Sequence, residues 1–247
     1  MDTEHQTPRA AFGLFVGVDD YRNEIVPDLN YCCKDAKGLS EAFDTRPSAV
    51  TMLLLEQDAT RRNVLTQLNF MMTHAEPGDL LLFFVATHGV VKYNDFFFMP
   101  YDADPQNLLG TGISSKLLIN ALASTIHRGV ECLIVFDSCY CGAIGFDISK
   151  SQTVGKGGLS CLFSASPLEK SIESPSRRQG IFSHFMIEGL KGKAARDQTG
   201  PNQMKPVYLR DLYDYVYSRT KRATQQQQHP VLIGTLDNET VLNEISS

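Results

Sequence analysis

The stretch Asp79–Gly89, DLLLFFVATHG, decides the architecture. Its apolar run, Leu80 to Ala86, is far shorter than the ~20 residues a membrane helix needs, and no polar residue alternates within it. Such a run reads as a strand buried on both faces, as in a parallel sheet covered on both sides. Working outward, comparable runs occur at Ala11–Val18, Thr51–Leu55, Cys132–Phe136 and Leu159–Ser164, with a weaker one at Val231–Leu236. Between them the spacing turns helical. Val64, Leu65, Leu68, Met71, Met72 and Ala75 share a face, with Thr60 placed to cap the start. Phe182, Phe185, Met186 and Leu190 repeat the pattern, as do Leu209, Leu212, Tyr213 and Val216. Strand–helix alternation of this kind predicts an α/β sandwich: about six strands, mostly parallel, with helices on both faces.

Ligands of such sheets bind outside the carboxyl ends of the strands, so what each strand runs into matters most. The first ends in Asp19-Asp20-Tyr21, the Leu80–Ala86 run leads to His88-Gly89, and Cys132–Phe136 leads to Asp137-Ser138-Cys139. A histidine and a cysteine are thereby delivered to one edge. An imidazole can generate a thiolate and later protonate a leaving amine. Gly89, lacking a side chain, can bring its N–H close to a substrate carbonyl, and with the N–H of Cys139 it forms a candidate oxyanion hole. Cys141 lies further past the strand end than Cys139. Cys32, Cys33, Cys132 and Cys161 read as inert core or helix thiols, and His5, His74, His127, His184 and His229 lack catalytic context.

These motifs resemble the caspase-fold cysteine peptidases, the metacaspase and prokaryotic orthocaspase branch above all. Phe12–Tyr21 (FGLFVGVDDY) is similar to the family's first strand and Leu29–Ala36 (LNYCCKDA) to its L-x-x-C-x-x-D-A stretch. Phe83–Gly89 (FFVATHG) and Asp137–Gly142 (DSCYCG) are similar to its histidine and cysteine motifs. His88 precedes Cys139 by about 50 residues, the caspase spacing. Tyr140 stands where metacaspases usually carry His, and Ala86 where they have a small hydroxyl residue. The resemblance implies a caspase-like α/β/α sandwich over residues 11–247 after a tail at 1–10. Its large-subunit-like part would span about 11–145 and its small-subunit-like part about 158–245. It also implies a His88/Cys139 dyad without a cofactor. The acidic calcium cluster of many metacaspases has no counterpart, so no calcium dependence is expected.

Caspases that cut after Asp carry Gln two residues before the nucleophile; here that position is Asp137, and the family match adds Asp35, with Asp19 or Asp20 a third candidate wall. Two partly buried carboxylates repel each other and are costly to desolvate unless a cation arrives. A substrate Arg, held bidentately, or Lys supplies it. The expected activity is cleavage after Arg, then Lys, in exposed protein segments. The polar stretches Gly142–Gly158 and Pro167–Gly180 read as mobile loops. They contain Lys150, Lys156, Arg177 and Arg178, candidate cleavage sites of a zymogen cut by itself or by an upstream protease. The polar tract Gln225–Gln228 reads as a frayed helix end. A caspase-like scaffold without turnover is the competing reading.

Composition closes other routes. The 247 residues are 43% hydrophobic and 21% charged, with a net charge of −5. That is globular composition, with no electrostatic reason to expect nucleic acid. The acidic start, MDTEHQ, is no signal peptide, and the six cysteines lack paired zinc spacing. A cytoplasmic protein with reduced thiols, no membrane partner and no metal is expected. No G-x-S-x-G elbow, Walker loop or H-E-x-x-H helix occurs.

Overall fold

The computed structural model describes residues 10–138, 157–196 and 204–245. In chain order the elements are β1 (Ala11–Gly17), α1 (Cys32–Phe43), β2 (Ala49–Leu55), α2 (Arg61–His74), β3 (Leu80–Ala86), β4 (Gly89–Lys92) and β5 (Asp95–Phe98). Then come a single turn, α3 (Leu108–Thr111), β6 (Ile113–Ser114), α4 (Ser115–His127), β7 (Glu131–Asp137) and β8 (Leu159–Phe163). After these follow β9 (Glu173–Ser174), β10 (Gln179–Gly180), α5 (Ile181–Glu188), β11 (Lys205–Tyr208), α6 (Leu209–Ala223), β12 (Val231–Gly234) and β13 (Val241–Ile245).

The central sheet has six strands in the order β12-β8-β7-β3-β1-β2. All pairs are parallel except β12 with β8. The α/β/α expectation therefore holds, and the weak Val231–Leu236 run becomes the antiparallel edge. Every residue of β3 is buried. Leu81, Phe83 and Val85 face one core cluster, with residues of α2 and α4. Leu80, Leu82, Phe84 and Ala86 face the other, with α1, α5 and α6. That two-sided burial is why the run shows no alternation. Thr60 caps α2 as expected, its hydroxyl accepting from Asn63 N–H at 3.3 Å.

Phe84, fully buried between Phe15 and its neighbours, tests how much the core depends on this strand. Phe84→Ala should lower unfolding free energy by about 3–5 kcal/mol, read as a shifted denaturant midpoint at constant slope.

Local chemistry hid several elements. β4 and β5 are joined through Tyr93 and Asn94, both left-handed (φ 56° and 55°). That is a two-residue hairpin turn without the glycine that usually announces one. Helix α1 has no capping side chain of its own at Tyr31. Its first amides, on Cys32 and Cys33, donate instead to Asp19 at 2.6 and 3.2 Å, across the chain. No described helix is long and apolar enough to cross a membrane.

Candidate active site

Register places the site. β3 and β7 are direct neighbours, with Ala86 opposite Asp137, so Thr87-His88 and Ser138 leave the sheet side by side. Cys139 follows Ser138 in the chain and lies outside the described residues, as do Lys150 and Lys156.

His88 is held by its backbone. Its N–H donates to the Tyr21 hydroxyl at 2.8 Å, and its carbonyl accepts from Met99 N–H at 2.9 Å. The Tyr21 ring lies 5.4 Å from the imidazole. Imidazole Nε2 is 2.7 Å from the Pro27 carbonyl. A carbonyl only accepts, so Nε2 carries the proton and Nδ1 is left as the basic nitrogen. No described residue hydrogen-bonds Nδ1. Sequence offered no third member for the dyad because the partner is a backbone oxygen, which any residue supplies. Gly89 is sterically required: a Cβ there would lie 2.5 Å from the Phe96 ring and 3.0 Å from Ser138 Oγ.

Beside His88 a cavity of about 230 Å³ is lined by Asp35, Asp137 and Glu173, with Cys32, Ser171 and Gly180 among the other walls. The structure brings Asp35 and Asp137 together in this lining, although they come from α1 and the end of β7. Asp137 is 7% exposed and receives Ser171 Oγ at 2.5 Å and Ser183 Oγ at 2.6 Å. Burial pushes its pKa up, and the hydroxyl donors oppose that rise. Asp35 is 3% exposed. Its Oδ2 accepts from Gly180 N–H at 2.9 Å, whereas Oδ1 is buried with no hydrogen-bond partner among the described residues. Burial first, then the Asp137 charge, lift its pKa to about 9. A Cβ on Gly180 would sit 2.8 Å from Asp35 Oδ2 and 3.2 Å from Asp137 Oδ2, so only glycine passes between the two acids.

Glu173 was missed in the sequence, where it was one acid in a polar loop. That loop, Pro167–Gly180, is built into the site: Ile181 N–H donates to the Ile172 carbonyl at 2.9 Å, and Asn30 Nδ2 donates to Glu173 at 3.1 Å. Neither candidate third wall lines the cavity: Asp20 is exposed, and the Asp19 carboxylate is taken up in capping α1. Arg177 and Arg178 are exposed on the turn between β9 and β10. Asp19, Cys33 and Glu56 bring potential metal-ligand atoms within 4.8 Å of one another. Those atoms are already engaged, Cys33 Sγ donating to Glu56 at 2.8 Å, and burial raises the thiol pKa.

A model of the caspase domain matches residues 10–240. The chain belongs to the caspase-domain family. Metacaspase-2 of Trypanosoma brucei brucei is 27% identical over 158 residues, covering 56% of this chain and 43% of that protein. A relative from the same organism, Inactive metacaspase-4, is 28% identical over 153 residues, covering 56% of this chain and 43% of its own length. The chain thus spans less than half the length of these curated relatives. In fold, caspase-1 from Spodoptera frugiperda superposes with a TM-score of 0.66 at 14% identity, over 98% of this chain and 92% of that one. In this chain His88 follows the carboxyl end of β3 and Asp137 ends the neighbouring β7.

Proposed function

We propose that the chain is a cysteine endopeptidase that cleaves proteins after basic residues, Arg before Lys. The observation that carries this reading is the cavity beside His88: three carboxyl groups, one with a buried oxygen that has no partner among the described residues, and no lysine or arginine among the described lining residues. A guanidinium satisfies that oxygen and neutralises the cluster, whereas an acidic side chain would meet repulsion. In the proposed reaction the Cys139 thiolate attacks the scissile carbonyl, and His88 passes the proton to the departing amine. Water then hydrolyses the thioester and releases Cys139. Neither calcium nor a cofactor enters these steps.

Control by cleavage fits one loop better than the other. A nick at Arg177 or Arg178 would part β9 from β10, which carry Glu173 and Gly180 to the pocket, so cleavage there would damage it. Activating cleavage is therefore assigned to Lys150 or Lys156. The name of one relative, Inactive metacaspase-4, favours weighing a second reading, a caspase-like scaffold without turnover. The presence of both His88 and Cys139 speaks for the enzyme.

The test is hydrolysis of fluorogenic peptides ending in Arg, Lys or Asp by wild type and Cys139→Ala, with and without calcium. Arg cleavage should dominate, be absent in Cys139→Ala and be indifferent to calcium. Cleavage after Asp would sink the pocket reading. Silence on all three, persisting after limited nicking at Lys150 or Lys156, would leave the scaffold.

A further inference from the structure

Gln228 is 0% exposed, an unusual place for an uncharged polar side chain of this length. It follows α6, where the chain reverses through two left-handed residues, Gln225 (φ 50°) and Gln226 (φ 69°). The polar tract that read as a frayed helix end is thus a turn that drives its last residue into the core. Thr224, itself buried, anchors that turn by accepting Gln228 N–H at 3.2 Å.

Every side-chain hydrogen bond of Gln228 goes to the pocket loop or its approach. Its Oε1 accepts from Ile172 N–H at 3.0 Å. Its Nε2 donates to the Ser164 carbonyl at 2.8 Å and to Ser171 Oγ at 3.3 Å. The last bond has a direction. An amide N–H only donates, so Ser171 Oγ accepts from Gln228 and turns its own proton to Asp137 Oδ1 at 2.5 Å. The next residue holds the same loop nearer its start. His229 donates its backbone N–H to Glu169 at 2.7 Å and places ring Nδ1 2.7 Å from the other carboxylate oxygen. Glu169 also accepts from Ser166 N–H at 3.3 Å.

We propose that Gln228 is a positioning residue for the basic-side-chain pocket: through Ser171 it orients the hydroxyl proton donated to Asp137, and through Ile172 it sets the loop that carries Glu173. The proposal rests on the reading of that cavity as the substrate-cation pocket. Gln228 touches neither substrate nor nucleophile. Its loss is expected to weaken capture of the cation and leave the bond-breaking step intact.

The test uses Gln228→Met, which keeps the volume without the hydrogen bonds, together with Ser171→Ala and the double variant. For a peptide ending in Arg, Gln228→Met should raise KM about tenfold with kcat within about twofold, the scale of one lost hydrogen bond to a charged group. Ser171→Ala should reproduce part of that rise, and the double variant should fall short of the product of the two, because both act on Asp137. Alkylation of Cys139 by iodoacetamide, which needs no basic side chain, should proceed at the wild-type rate. A parallel fall of kcat, alkylation rate and melting temperature would reduce Gln228 to a structural role, and an unchanged KM would overturn the proposal. If wild type cleaves no basic peptide, the substrate reading fails by itself. Amide exchange then decides the positioning claim. Faster exchange in Gln228→Met across residues 164–174, with α6 still protected, would support it, and unchanged exchange there would overturn it.

Discussion

Asp35→Asn is expected to stabilise the free protein at pH 8 and to cut kcat/KM on Arg peptides by about a hundredfold or more. Both effects follow from one buried group. In the folded chain Asp35 keeps its proton up to about pH 9, because burial and the nearby Asp137 charge disfavour the carboxylate, against an ordinary value of 3.8. Between those limits the native state holds a proton that the unfolded chain has lost. Stability from this group is therefore fully present below about pH 4 and declines as pH rises toward 9. Asparagine mimics the protonated form and can keep the bond from Gly180, so its melting temperature should exceed wild type by a margin that grows from pH 4 to pH 9. The substrate sees the reverse. A guanidinium favours the ionised carboxylate, so binding expels the proton and KM for Arg peptides should fall as pH rises toward 9. In Asp35→Asn that pH dependence should vanish. Removing one member of a buried charged contact costs about 2–5 kcal/mol, and the loss should appear in KM. A variant that is less stable than wild type at pH 8, or that cleaves Arg peptides unimpaired, would show that Asp35 is not the buried acid of a cation pocket.

How much of this was legible in the sequence depends on where the information sits. β1, β3, β7 and β8 announce themselves because burial on both faces removes polar residues from the run, a signal carried by each strand alone. The positions of His88 and Asp137 at neighbouring strand ends were legible because strand ends are predictable once strands are. Glu173, Ser171 and Gln228 were not, since nothing local separates an acid that lines a cavity from one on a surface turn. Their roles arise from contacts such as Gln228 with Ser171, 57 positions apart. The hairpin of β4 and β5 was hidden by a turn that uses Tyr93 and Asn94 in place of glycine. The cap of α1 lay 13 positions away, in Asp19. The Pro27 carbonyl opposite His88 was invisible in principle, because a backbone oxygen leaves no mark on residue identity.

That carbonyl sets the second large effect. His88→Ala should lower kcat on Arg peptides by about 10³–10⁴ with KM close to wild type. The reasoning starts from rigidity. Both backbone polar groups of His88 are engaged, by Tyr21 and Met99, and Nε2 is fixed by Pro27 at 2.7 Å, so the imidazole is held in one tautomer. Nδ1 is then the only ring atom able to take the thiol proton and return it to the leaving amine, and alanine removes that path entirely. No described residue of the proposed cation pocket depends on the imidazole for a hydrogen bond, so binding should survive. The side chain is partly exposed, so its loss should cost little stability, within about 1 kcal/mol. Steady-state kinetics at fixed pH, alongside Asp35→Asn, makes the comparison decisive. One variant should fail in kcat, the other in KM. If His88→Ala instead retained kcat within tenfold of wild type, another base would be serving Cys139, and the assignment built on the Pro27 contact would fall with it.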